Sequence, residues 1–256
     1  MSAAEIPPKI ALITGGSRGL GRNTAINLAR KGVDVVLTYH SNRTEADSAV
    51  AEIQALGRKA VALQFDAGNV GSFDGFASGL RQTLFEVWSS DRFDFLVNNA
   101  GIGTMAPFAE VTEADFDALM NVHLKGVFFL TQKLLPVIAD GGRIVNISTG
   151  LTRFIVPGLS AYASIKGAVE VLTRYLAKEL GPRRIAVNTV APGSIATDFG
   201  GGGANNPEAE KFTASVTALG RGGVPDDIGP MIAALLCDDN RWVNAQRIEV
   251  SGGAFL

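Results

Sequence analysis

Tyr162 and Lys166, in the run Tyr162-Ala163-Ser164-Ile165-Lys166, are the residues of this sequence best suited to moving a proton. Positions i and i+4 share one face of a helix, so a phenol and an ammonium there can act together. A free phenol has a pKa of about 10, too high for acid–base work at neutral pH. A fixed ammonium beside it favours the phenolate and is expected to lower that value. Tyr162 could then protonate a carbonyl oxygen or deprotonate an alcohol. The alternative is a tyrosine packed against an aliphatic lysine stem, and a motif this short arises by chance.

A second constellation lies near the start of the chain. An apolar run ends in Thr14-Gly15-Gly16-Ser17-Arg18-Gly19-Leu20-Gly21, which opens a helix. A strand, a glycine turn and a helix N-terminus together make an anion site, where backbone N–H groups and the helix dipole meet a pyrophosphate. Gly15 permits the turn, Gly19 lets phosphate approach and Gly21 allows close packing, with Ser17, Arg18 and Leu20 lining the same turn. The spacing is G-x-x-x-G-x-G rather than G-x-G-x-x-G.

A site for NAD would present Asp or Glu to the ribose 2′-hydroxyl about 20 residues further on. Here the second strand ends in Thr38-Tyr39-His40-Ser41-Asn42-Arg43, with no carboxylate before Glu45. The missing acid, with Arg18 and Arg43 within reach, favours NADP(H) over NAD(H). Tyr39, Ser41 and Asn42 belong to the same candidate site, although Arg43 could equally be a solvated residue starting the next helix. Asp66 and Ala67 are placed to flank adenine, and Asn99, Ala100 and Gly101 to run beneath the adenosine ribose. Lys166 could also bond the nicotinamide ribose, and a positively charged nicotinamide would further favour the Tyr162 phenolate.

These residues need a scaffold, and the pattern supplies one. Short β-branched runs at Lys9–Thr14, Asp34–Thr38, Lys59–Gln64, Phe93–Asn98, Arg143–Ile147, Ile185–Ala191 and Arg247–Val250 alternate with helical stretches. The helix candidates are Leu20–Lys31, Thr44–Leu56, Ser72–Trp88, Glu113–Ile138, Ala161–Leu180 and Asp226–Leu236. Strands apolar on both faces, alternating with helices, predict one α/β domain with a doubly wound parallel sheet. The expected boundaries are a flexible N-terminus over residues 1–8 and a single dinucleotide-binding and catalytic domain over residues 9–256. Asp198–Ala218 breaks the rhythm with four successive glycines, and reads either as an exposed loop or as a substrate lid.

Apolar residues make up 46% of the 256 and charged ones 19%, enough for a globular core. A formal net charge of −2 gives no field to hold nucleic acid or an anionic membrane, and neither is expected as a partner. No apolar run approaches a bilayer span and no secretory leader is evident, so a cytoplasmic location is expected. Cys237 is the only cysteine, which excludes an intramolecular disulfide and suggests a buried structural thiol. No metal site is expected.

With these motifs in place, the chain resembles the single-domain branch of the short-chain dehydrogenase/reductase family, in particular carbonyl reductases similar to 3-oxoacyl-acyl-carrier-protein reductase. The matching residues are Gly15–Gly21, Asn98–Gly101, Tyr162 with Lys166, and Ala191-Pro192-Gly193-Ser194-Ile195-Ala196-Thr197. The resemblance covers nearly the whole chain. It implies a Rossmann-type sheet of seven strands in order 3-2-1-4-5-6-7 and NAD(P)-dependent ketone–alcohol chemistry on a small-molecule substrate. It also implies a homotetramer or homodimer, with Pro192, Gly193, Ile195 and Thr197 at the carboxamide end of the cofactor. Two positions depart from the family's catalytic four. Thr149 stands where a serine is usual, thirteen residues before Tyr162, and its hydroxyl can do the same work. Ser148 should point to the opposite face of its strand. His123 stands where an asparagine is usual, either preserving a proton relay or serving as a kink residue without a rate role. An NAD-dependent alcohol dehydrogenase and a catalytically silent dinucleotide-binding module are the alternatives.

The site edge collects Met105, Leu151, Phe154, Ile155, Val156, Leu159 and Phe199, with Arg153 as the expected charge nearby. That surface suits an uncharged ketone or alcohol. The short acidic turn Ile138-Ala139-Asp140-Gly141-Gly142 makes a carrier-protein partner less favoured than a free small molecule, although Arg183 and Arg184 supply positive charge.

Overall fold

The computed structural model describes residues 8–202 and 206–256. The expected flexible N-terminus falls, Pro8 apart, outside the described residues, as does the 203–205 part of the expected lid. Seven parallel strands form one sheet: β1 (Ile10–Ile13), β2 (Asp34–Tyr39), β3 (Ala60–Gln64), β4 (Phe93–Asn98), β5 (Ile138–Ile147), β6 (Ala186–Pro192) and β7 (Arg247–Val250). Their spatial order is 3-2-1-4-5-6-7, the order that the family resemblance implies.

Alternation along the strands divides the core in two, because successive side chains leave a strand on opposite faces. Ile13, Val35 and Leu37 pack with Leu28 of α1 (Gly19–Arg30), Ile53 of α2 (Arg43–Ala55) and Ile232 of α8 (Pro225–Leu235). Leu12, Val36 and Leu96 pack on the other face with Leu80 and Leu84 of α3 (Phe73–Trp88) and Leu130 and Leu134 of α5 (Gly126–Leu134). β1 and β2 are buried along their whole length, as central strands covered on both faces must be. The carboxyl ends of these strands form the edge where the candidate site lies.

The helix expected over residues 113–138 is not continuous. α4 (Glu113–Met120) gives way to one π-helical turn, Asn121–Lys125, before α5 begins. Pro136 lies in a 3-10 turn, Leu135–Val137, where its missing N–H ends helical bonding. β5 then starts at Ile138, so the expected acidic turn is instead the irregular opening of a strand, with a register shift against Phe93 and Phe95. Asp140 there is paired with Arg183 at 2.7 Å.

Two further helices complete the frame: α6 (Ser160–Glu179) and α7 (Pro207–Val216). α7 lies within the expected lid, capped by the Asn206 side chain on Ala209 N–H at 2.9 Å. Cys237 is partly exposed rather than buried, with its thiol donating to the Ala233 carbonyl at 3.0 Å. Among the described residues no helix is long and apolar enough to cross a membrane.

Candidate active site

Tyr162 and Lys166 occupy the first two turns of α6, one above the other as their spacing requires. Lys166 is 4% exposed, and its Nζ donates to the carbonyl of Ile147 at 2.7 Å. Nζ also lies 5.8 Å from the Tyr162 ring centroid. Tyr162 is half-buried, between the His123 ring, edge-on at 5.2 Å, and the Phe199 ring at 5.9 Å.

Burial dominates the titration of both groups. It brings the Lys166 ammonium down to about 7 and pushes the Tyr162 phenol above its ordinary value. The expected lowering of the phenol by its lysine is therefore overturned. Stripping water from a phenolate costs more than an ammonium held back on a backbone carbonyl returns.

His123 sits in the π-helical turn and is 1% exposed. Its Nε2 lies 2.7 Å from the carbonyl oxygen of Ile102 and 3.2 Å from the Ile102 nitrogen. The shorter contact assigns the proton to Nε2 and leaves Nδ1 a bare acceptor, buried and without a partner. Burial first and the Lys166 charge second lower the imidazole to about 3, against the smaller opposing effect of its bond to Ile102. The ring therefore stays neutral at physiological pH. A Cβ at Gly101 would fall 2.7 Å from its Cε1, which ties the end of β4 to this ring.

Thr149 and Ser148 separate as alternation requires. Ser148 gives its hydroxyl to Glu170 at 2.7 Å, behind the site. Thr149 is 8% exposed, and its hydroxyl accepts only a long 3.3 Å bond from Leu151 N–H. Its own proton is uncommitted.

A chain of polar side chains, of which only Asn98 belongs to a motif evident in the sequence, supports these groups. The Asn98 amide donates to Thr131 and to Asn146, Asn146 donates to Thr173, and Thr189 donates to Thr173. This buried chain of side chains stitches β4, β5, β6, α5 and α6 together, and each partner lost would strand a desolvated polar group. The apparent signal was polar residues inside otherwise apolar strands.

At the other end of the crevice, Asn99 donates to the carbonyls of Thr14 and Gly15 at 2.9 and 3.1 Å, and Thr14 accepts from the N–H groups of Asn99 and Ala100. The two predicted cofactor segments are thus laced to each other. A Cβ at Gly21 would collide with the Gly15 carbonyl, so the turn closes only with glycine there. Thr197 stands over Gly19, its methyl 3.7 Å from where a Cβ would lie. Pro192 ends β6, Gly193 packs against Ser251, and Ile195 pairs with Gly223.

The crevice fits a dinucleotide phosphate. The first turn of α1 carries no acidic residue, and no side chain caps its N-terminus, where Ser17 is buried, Leu20 half-buried and Arg18 exposed. Glu45, the first carboxylate after β2, is paired with Arg22 at 3.2 Å, and Arg22 also reaches Glu52 at 3.1 Å. Arg43 is open to solvent beside Asp47 at 3.4 Å. Asn42 caps α2 on Glu45 N–H, Ser41 is exposed, and Asp66 accepts from Gly68 N–H beside half-buried Ala67. Tyr39 is different: its side chain is packed into the core, so only its backbone can border the crevice.

Of the residues expected on the apolar rim, Met105, Ile155 and Phe199 are exposed, and Phe199 lies beside the Tyr162 ring. Arg153 is not a free charge on that rim. It is paired with Glu249 and donates to the carbonyls of Ala254 and Phe255, tethering the chain end.

A family model described as enoyl-(acyl carrier protein) reductase matches residues 15–254. The chain belongs to the short-chain dehydrogenase/reductase family. It is similar to the structure of LugOII, described as a promiscuous reductase catalysing keto-reduction at C1 during lugdunomycin biosynthesis, at 39% identity and a TM-score of 0.92 over 99% of this chain and 100% of that one. It is also similar to LanV, an angucycline C-6 ketoreductase with bound NADP, at 37% identity and a TM-score of 0.92, covering 96% and 95% of the two chains. A hydroxynaphthalene reductase-like protein of Metarhizium brunneum is 36% identical over 258 residues, 96% of this chain and 94% of its own.

Proposed function

We propose that this protein is an NADP(H)-dependent oxidoreductase that interconverts a ketone and an alcohol, with Tyr162 as the acid–base group. The observation that carries the reading is the stacking of Tyr162 and Lys166 on α6 against neutral His123, at the end of a crevice that opens on the uncapped N-terminus of α1. When bound, the nicotinamide supplies or accepts the hydride. The residues of the chain manage the proton.

In reduction, Tyr162 Oη donates its proton to the carbonyl oxygen, and its raised pKa keeps it protonated for that step. The Thr149 hydroxyl donates a second hydrogen bond to the same oxygen, stabilising the charge that develops there. Lys166 holds the nicotinamide ribose and supplies the next proton. Neutral His123 holds the Ile102 backbone and offers Nδ1 as an acceptor. Gly15, Ser17, Arg18, Gly19, Leu20 and Gly21 hold the pyrophosphate. Arg18, Ser41, Asn42 and Arg43 surround the 2′-phosphate, and Asp66, Ala67, Asn99, Ala100 and Gly101 the adenosine. Pro192, Gly193, Ile195 and Thr197 hold the carboxamide.

The substrate is a ketone on a flat polycyclic aromatic skeleton. Support comes from the exposed Met105, Ile155 and Phe199 and from relatives described as an angucycline C-6 ketoreductase and as catalysing keto-reduction at C1 during lugdunomycin biosynthesis. Arg183 is consumed by Asp140 and by the carbonyls of Leu135 and Ile138, which argues against a basic dock for a carrier protein. The apolar face of Phe128, Val171 and Tyr175 on α5 and α6 is assigned to a second copy in a homodimer or homotetramer. We place the enzyme in the cytoplasm, where NADPH is kept reduced.

The test is NADPH oxidation across polycyclic aromatic ketones, simple ketones, quinones and acyl thioesters, with NADH in parallel. Turnover of the polycyclic ketones with NADPH supports the reading. Preference for a thioester overturns the substrate class, and equal use of NADH overturns the cofactor.

A further inference from the structure

Tyr162 and Thr149 must aim two hydroxyls at one oxygen, yet they stand on different elements, α6 and the end of β5. A third residue extends the row on α6. Glu170 follows Lys166 by four positions as Lys166 follows Tyr162, so all three share one helix face. Its carboxylate lies against the β5 end: Oε1 accepts from Ser148 at 2.7 Å and from Thr152 at 2.8 Å, the residues that bracket Thr149 on either side.

Arg247 of β7 closes the arrangement. Its Nε donates to Glu170 at 2.9 Å, and one terminal nitrogen donates to the Thr149 carbonyl at 3.2 Å and the Thr152 hydroxyl at 3.0 Å. The other terminal nitrogen donates to Glu249 at 3.0 Å, and Glu249 is held in turn by Arg153. The charges alternate along Glu170, Arg247, Glu249 and Arg153, so the set is neutral as a whole. Glu170 and Glu249 are largely shielded from water, with side chains 12% and 18% exposed. A planar guanidinium is the side chain that can meet a carbonyl, a hydroxyl and two carboxylates from one position.

We propose that Glu170 and Arg247 are positioning residues that set the direction of the Thr149 hydroxyl relative to Tyr162. The inference rests on Thr149 being a hydrogen-bond donor in the reaction proposed above. Thr149 has an extended φ of −157°; its carbonyl accepts from Arg247 and Thr152, and its hydroxyl only accepts, from Leu151 N–H, which leaves the hydroxyl proton for substrate. Neither Glu170 nor Arg247 touches the reacting atoms. Their effect passes through the backbone of Thr149, where an error of about 1 Å can cost on the order of 10²-fold in rate.

The test uses the full-length enzyme, NADPH and the best ketone of the panel, with Thr149→Ala, Arg247→Met, Arg247→Lys and the Thr149→Ala/Arg247→Met double variant. Arg247→Met should lower kcat about tenfold or more, up to the ~10²-fold of a ~1 Å displacement, while KM and NADPH affinity change less than about twofold. Arg247→Lys should recover part of the loss. In the Thr149→Ala background the same Met substitution should cost less than about twofold, because the group it positions is gone. A full additional loss in that background, or a loss carried by KM and NADPH affinity, overturns the inference. If Thr149→Ala itself costs nothing, the role of Thr149 falls and the clamp with it. If Thr149→Ala costs rate and Arg247→Met does not, only the clamp falls. Should Arg247→Met fail to fold, Glu170→Gln keeps the shape and the acceptor and is read in the same way.

Discussion

Lys166 and Arg43 carry the same charge at opposite ends of one crevice, and their surroundings could hardly differ more. Lys166 is enclosed by α6, β5 and the π-helical turn, with its proton affinity reset by burial. Arg43 stands on the first turn of α2 with a side chain 76% exposed, beside a carboxylate that is itself solvated. At the buried end, chemistry is governed by what water has been removed. At the exposed end, recognition depends on charges that solvent and salt attenuate. A change at the first end should therefore alter rate and pH dependence, and one at the second should alter cofactor choice and salt dependence.

The largest separation between the two ends is expected from Tyr162→Phe. Loss of the proton donor should lower kcat by roughly 10²- to 10⁴-fold. NADPH affinity, measured by fluorescence titration, should stay within about threefold, the effect of one lost weak contact. A loss of NADPH binding equal to the loss in rate would show that the two ends are one unit.

The pH profile is the next test. The Lys166 ammonium has a pKa of about 7, and kcat/KM for reduction reports groups of the free enzyme. That parameter should fall about tenfold per pH unit above neutrality as the lysine loses its proton. A profile flat to pH 9 would detach Lys166 from the reaction. Stability should move the other way. The folded chain holds this proton less tightly than the unfolded one, whose lysine has a pKa near 10.5, so the burial penalty is relieved as pH rises from about 7 to 10.5. Thermal unfolding across that window measures it.

Arg43→Ala should be smaller, a two- to fivefold weakening of NADPH as expected of an exposed ion pair, fading with added salt. NADH should bind unchanged, and an equal loss for both cofactors would remove Arg43 from the 2′-phosphate. The smallest effect is expected from His123. With its imidazole at about 3, His123→Asn should leave the inflections between pH 5 and 9 where they are. A shifted inflection would mean that the histidine titrates during the reaction.

The sequence was a good guide to whatever depends on local pattern. The central strands announce themselves because both their faces are apolar, and the Gly15–Gly21 turn because its glycines sit between a strand and a helix. Tyr162 and Lys166 meet because helical spacing alone brings them together. What it could not convey depends on contacts between distant segments. The phenol shifts upward rather than downward because burial is a tertiary property. Arg153 leaves the site because Glu249, far along the chain, binds it. Glu170 and Arg247 look like ordinary surface charges until α6 and β7 are seen to close on the same strand end.

The π-helical turn at Asn121–Lys125 has a consequence for the phase of its helix. An α-helix advances about 100° per residue, so one additional residue in a turn rotates everything beyond it by that angle. Without the extra residue, the stretch that buries Leu130 and Leu134 could not also present His123 toward Tyr162. The turn lets one rod serve two clients at incompatible rotations, catalysis before the break and the sheet after it. Shortening it by a single residue would make a better helix and force it to abandon one of them.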